Sequence, residues 1–123
     1  MTKEKIKRVL KRLSLILKIM KQGKTEEYVY INHCTEKIEI DDEVKIIVEI
    51  LDDIIASESP DGWVFKILKK FKEGKKDIAI MTKSPVSKPT YYKLKDRLVT
   101  KIYICCVYKG LVSYEDILKE EIV

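Results

Sequence analysis

Apolar residues along the first segment fall at spacings of three and four. Ile6, Val9, Leu10, Leu13, Ile16, Leu17 and Met20 share one face of a helix over 3–22. Thr2 is placed to cap it and Gly23 to stop it. Residues 41–57 repeat the helical period with Val44, Ile47, Val48, Leu51, Ile54 and Ile55, behind Asp41 or Asp42 as a cap. Turn chemistry at 57–62 ends that helix, and 63–72 resumes the period with Val64, Ile67, Leu68 and Phe71. A short helix is expected over 76–82. A long one follows over 87–108, capped by Ser87, with Pro89 tolerated in its first turn and Tyr91, Leu94, Leu98, Ile102 and Cys105 as its stripe. A last short helix is expected from Ser113 to Ile122, with Ser113 as cap. Residues 24–40 carry the one β-prone run, Tyr28-Val29-Tyr30-Ile31, and read either as two short strands or as a loop laying aromatics on the core. The expectation is a mainly α fold of five to six helices with a minor β element near 28–40, in a single domain spanning 1–123.

Composition narrows this further. With 123 residues, too few for a large α/β barrel, and 46% of them hydrophobic, the chain can bury a core; only 4 Gly and 3 Pro argue against a turn-rich all-β fold. The net charge of +5 conceals blocks. Residues 1–24 hold nine basic side chains and one acid, 25–62 two and twelve, 63–112 thirteen and three, and 113–123 one and four. Such asymmetry points to a polyanion-binding segment, or to oppositely charged parts that attract one another within the fold. The basic face of the N-terminal helix, within 1–24, reads equally as an ordinary surface or as a contact for DNA, membrane surface or a second subunit.

Cys34, Cys105 and Cys106 are odd in number and form no CxxC pair; with one histidine, His33, they do not suggest a zinc site. A reduced, cytoplasmic protein without metal or cofactor is expected. His33-Cys34 offers a nucleophile beside a base, but adjacency in sequence supplies no site geometry, and no enzyme is expected. No apolar run reaches the roughly 20 residues needed to span a bilayer.

The informative stretch is 77–99, DIAIMTKSPVSKPTYYKLKDRLV. A short helix carrying a small residue, Ala79, then a tight turn, then a helix opening on Ser, Lys, Pro and Thr, is the layout of a helix-turn-helix. Its second helix would present its first turn to a DNA major groove. Hydroxyls of Ser84, Ser87 and Thr90 suit phosphate or base edges, Pro89 shapes the first turn, and Lys88 and Lys93 supply cations. Tyr92 offers a ring to a thymine methyl, whereas Tyr91 heads the apolar stripe and belongs to the core. Lys75, Lys76, Lys83 and Arg97 extend the basic footprint, so affinity should fall steeply with salt.

Over 43–112 the order of an acidic-apolar helix, a helix ending near Phe71, Ile78-Ala79, Ser87, Thr90-Tyr91-Tyr92 and Leu94-Lys95 resembles the RinA and ArpU type late-gene regulators of phages of Gram-positive bacteria. Those regulators are in turn similar to the fourth region of primary sigma factors. The resemblance implies a sigma-like helix-turn-helix over 63–112 and a DNA-binding activator of phage or prophage late genes; RNA polymerase as a further partner and a homodimer as the assembly are separate expectations. The turn departs from the usual pattern. Counting from Ala79, Ser87 comes about two residues late, which leaves open whether Ser84 or Ser87 starts the second helix. Two other functions remain open at this point: a DNA-binding packaging component like a small terminase subunit, and a module that binds an acidic protein partner.

Overall fold

The computed structural model describes residues 1–112 together with 115, 117 and 118. Helices α1 (Lys3–Lys11) and α2 (Leu13–Lys21) lead into a hairpin of β1 (Glu26–Ile31) and β2 (Cys34–Glu39). Helices α3 (Asp42–Ser57), α4 (Trp63–Lys72), α5 (Asp77–Thr82) and α6 (Lys88–Tyr108) follow. The fold is mainly α with a small antiparallel sheet, as the periodicity predicts. The helix expected at Ser113 to Ile122 falls largely outside the described residues.

The N-terminal helix departs from the expected one. The helix expected over 3–22 is divided at Arg12, whose backbone (φ −105°, ψ 17°) leaves the helical region. Its N–H is shared between the carbonyls of Arg8 and Val9, at 3.2 Å each. The guanidinium there makes a two-point hydrogen bond to Glu36 of β2, at 3.0 and 3.2 Å. Beyond the step the buried positions run Leu13, Ile16, Ile19, so Ile19 replaces Leu17 and Met20 as the fully buried side chain. No glycine or proline marks position 12, so the sequence carried no signal for it.

Residues 24–40 form the two short strands, one of the two readings open for that segment, with the aromatics turned away from the core. Asn32 and His33 both adopt positive φ (49° and 66°), forming the two-residue primed turn whose twist matches that of antiparallel strands. Tyr28 and Tyr30 alternate outward, while Val29 and Ile38 face the main core. His33 packs its ring edge-on to Tyr30, 6.4 Å between centroids, at the exposed tip beside Cys34.

The caps follow the side-chain chemistry. The Thr2, Asp41 and Ser87 oxygens accept from the backbone N–H of Lys5 (3.1 Å), Val44 (2.8 Å) and Thr90 (3.4 Å). α4 ends in a Schellman turn at Gly74, where the N–H of Gly74 meets the Phe71 carbonyl (3.0 Å) and that of Lys75 the Lys70 carbonyl (3.2 Å). Gly74 is required twice over. Its φ is +83°, and a Cβ there would sit 2.5 Å from the Cβ of Ser14 on α2.

The interior has two parts. The larger gathers α1, α2, Ile38, Ile40, α3, Leu68 and the distal half of α6, including Ile47, Leu51, Ile102 and Cys106. The smaller is Ile67 of α4, Ile80 of α5 and Tyr91 of α6, flanked by Met81, Val86 and Leu94. Phe71 touches both. Helix α6 therefore bridges them. Its buried set turns from Tyr91 to Leu98, Val99, Ile102, Tyr103 and Cys106 because α4 and α5 cover its start while α1 and α3 cover its end.

Candidate nucleic-acid interface

The three helices of the expected helix-turn-helix, α4, α5 and α6, are brought together around Ile67, Ile80 and Tyr91. The register of α5 differs from the expected one. Ile80 is the buried residue, Ala79 is exposed, and Ile78 is 76% exposed. The braced contact is thus made by a large side chain one position later than the small one, which fits a turn longer than usual. Between Thr82 and Lys88 lie five residues. Ser87 starts the second helix, and Ser84 stays in the turn, its hydroxyl accepting from the N–H of Val86 at 3.3 Å.

Asp77, at the first position of α5, ties that helix to α6. Its carboxylate accepts from the Tyr91 hydroxyl at 2.6 Å and pairs with the Lys95 ammonium at 3.2 Å. The same ammonium lies 5.5 Å from the Phe71 ring centroid and 6.0 Å from those of Tyr91 and Tyr92. Burial, and then the neighbouring carboxylate, push the Tyr91 hydroxyl well above the usual tyrosine range. It therefore acts as a hydrogen-bond donor at any physiological pH. Asp77 and Lys95 lay outside the sequence-derived set. Their spacing of 18 residues gives no local sign of contact.

The first turns of α6 divide the candidate residues into two stripes. Lys88 and Tyr92, four residues apart, share one side of the helix, and Tyr92 lines the groove toward α1. Pro89, Lys93 and Arg97, again four residues apart, form a second stripe and are exposed. Thr90 is also exposed; its hydroxyl is 2.9 Å from that of Ser87, so the two are shared locally while remaining open to solvent. Tyr92 is 40% exposed and packs edge-on to Tyr91 at 5.5 Å. Lys75, Lys76 and Lys83 are exposed on the connections at either end of α5. Among the described residues, no carboxylate lies within 4 Å of the charged end of Lys75, Lys76, Lys83, Lys88, Lys93 or Arg97.

The remaining charge blocks do attract one another. Lys5 of α1 bridges Asp41 and Glu43 (2.8 and 2.9 Å), Arg12 holds Glu36, Lys72 pairs with Asp52, and Lys101 with Glu58 (3.8 Å). The acidic block therefore engages one cation each on α1, at Arg12, on α4 and on the distal part of α6, and leaves those of the N-terminal part of α6 and both ends of α5 without a carboxylate among the described residues.

Between α1 and the start of α6 runs an open groove of about 740 Å³. Lys7 and Lys11 of α1 stand on one bank, and Lys75, Lys76 and Tyr92 on the other, with Leu10, Phe71 and Val99 toward its floor. A smaller hollow of about 450 Å³ is lined by Trp63, Lys66, Lys70, Lys83, Ser84 and Pro85. Trp63 is 41% exposed there, beside Ser84 and Pro85 of the turn. No helix among the described residues is long and apolar enough to cross a membrane. No protein-family model, curated protein or solved structure matches the chain.

Proposed function

We propose that the protein is a double-stranded DNA-binding transcriptional regulator that reads sequence with the first turns of α6. The observation that carries this reading is the exposure, at the start of a helix braced by α4 and α5, of Lys88, Thr90, Tyr92, Lys93 and Arg97, with no carboxylate among the described residues engaging the cations. Unneutralised cations beside hydroxyls and an aromatic ring can hold phosphates and still discriminate base edges. An acidic protein partner would be met equally well by charge alone. It gives no reason for hydroxyls and an exposed ring to stand with the lysines on a braced helix start.

The resemblance to RinA and ArpU type regulators extends the proposal to activation of phage or prophage late genes in the cytoplasm of a bacterial host, with RNA polymerase as a second partner. Selection of bound sequences from a random duplex pool tests the reading. Recovery of a defined motif is the expected result. Recovery of no motif, with equal binding of all duplexes, overturns sequence-specific regulation.

A further inference from the structure

The groove between α1 and α6 is unlike the rest of the basic surface, because its cations come from segments about 65 residues apart in the chain. Lys7 and Lys11 are successive turns of one exposed helix face. Lys75 and Lys76 face them from the α4–α5 connection. Among the described residues none of these four ammonium groups has a carboxylate within 4 Å. Of the two aspartates on the walls, Asp77 is engaged by Lys95 and Tyr91, which leaves Asp96 against four lysines.

We propose that this groove seats one phosphodiester strand of the bound duplex, making α1 part of the DNA interface. This rests on the reading of α6 as the DNA-contacting helix. The strand is the occupant favoured by charge and continuity. Cations line both banks, as a chain of phosphates needs, each strand of a duplex carrying one charge per about 3.4 Å of helix axis. Tyr92 is the first α6 residue on the groove wall, so a strand lying in the groove passes beside the first turns of α6. Its apolar floor at Leu10, Phe71 and Val99 suits sugar faces between the phosphates. Phosphate contacts of this kind fix the position of a protein on DNA without reading sequence.

The test is duplex binding over a series of salt concentrations, with a selected and a random sequence. The proteins are the wild type, Lys7→Gln/Lys11→Gln, Lys7→Arg/Lys11→Arg, and Lys45→Gln, which alters an exposed lysine on α3. The glutamine pair is expected to flatten the log–log salt slope by about 1.8, equally for both duplexes. The arginine pair and Lys45→Gln are expected to keep the wild-type slope. An unchanged slope in the glutamine pair, with Lys88→Ala still weakening the selected site more than the random one, overturns the groove proposal alone. A flattened slope with no discrimination by any α6 variant supports the groove and overturns sequence reading. Failure of the wild type to bind either duplex removes both. Inorganic phosphate titrated against the amide signals of residues 7 and 11 separates the remaining source of the same chemistry. Saturable shifts there, without a slope change on DNA, assign the groove to a small phosphorylated ligand and overturn the strand.

Discussion

Tyr91 shows how much one side chain does in the small core. It is fully buried, it closes the contact between Ile67 and Ile80, and its hydroxyl donates to Asp77. Removing the hydroxyl leaves Asp77 with Lys95 alone, so Tyr91→Phe is expected to cost about 1–2 kcal/mol in urea unfolding at neutral pH. The pH dependence has a definite sign. The folded state holds the phenol above its ordinary value of 10, so its contribution is complete below about pH 10 and is lost as pH rises through the elevated folded value. The gap between wild type and Tyr91→Phe should therefore narrow from pH 8 toward pH 11; a constant gap would show that the hydroxyl is not held as a donor. Gly74 is the second position where one atom matters. Gly74→Ala combines positive φ with a collision at Ser14, and an expected loss of about 1–3 kcal/mol. Adding Ser14→Gly should recover the steric share and leave the backbone share, which a double-mutant cycle would resolve. The sequence marks Gly74 as a break between helices, but its contact with a residue sixty positions earlier is legible only in the packed structure.

At the scale of elements, the amphipathic faces of α3 and α4 were readable because each helix buries one contiguous apolar stripe at the helical period, even though that of α4 is shared between the two cores through Ile67 and Leu68. α1 and α2 were readable as helix, not as a step. The apolar period continues through Arg12, and the break coincides with a hydrogen bond to a hairpin that local sequence could not place. The join of α1 to α3 depends on Lys5. Burial by itself would lower the Lys5 ammonium; hydrogen bonds to Asp41 and Glu43 outweigh it and hold the group above its ordinary value. Glu43 is held below its ordinary 4.5 chiefly by Lys5. Asp41 is held below 3.8 because Lys5 and the Val44 N–H together outweigh desolvation. Depressed carboxyls stabilise the fold above about pH 4.5, and that contribution fades as pH falls through their folded values. Stability lost between pH 6 and pH 3 should be smaller in Lys5→Met than in the wild type. The difference should be no more than about 1 kcal/mol, because these groups are partly solvated. Equal acid sensitivity in the two proteins would mean the pairing contributes nothing.

For the whole molecule, the decisive arrangement is that one long helix belongs to two cores. The distal half of α6 is held by α1 and α3, and its first turns by α4 and α5, so its start is presented from a fixed support. The reading of that surface yields separable expectations in DNA titrations at fixed salt. Lys88→Ala and Tyr92→Ala should each weaken a selected site by about 1–3 kcal/mol relative to a random one. Lys75→Ala should weaken both alike. Equal loss for both duplexes at Tyr92 would move that residue from base reading to the groove it borders. At the same scale the charge blocks attract one another at Lys5, Arg12, Lys72 and Lys101, while among the described residues the cations at both ends of α5, at the start of α6 and at Lys7 and Lys11 of α1 have no carboxylate within 4 Å.

Local chemistry determined the helices, their caps at Thr2, Asp41 and Ser87, the candidate cations and the break at Gly74. Each is decided within three or four neighbouring residues, by hydrogen-bond capacity and by the period of burial. Tertiary structure decided the rest: the outward tyrosines of the hairpin, the choice of Ile80 over Ala79, the clamp of Asp77 on Tyr91 and Lys95, and the meeting of Lys7 and Lys11 with Lys75 and Lys76. These depend on which distant faces compete for the same interior volume, and no spacing along the chain records that competition.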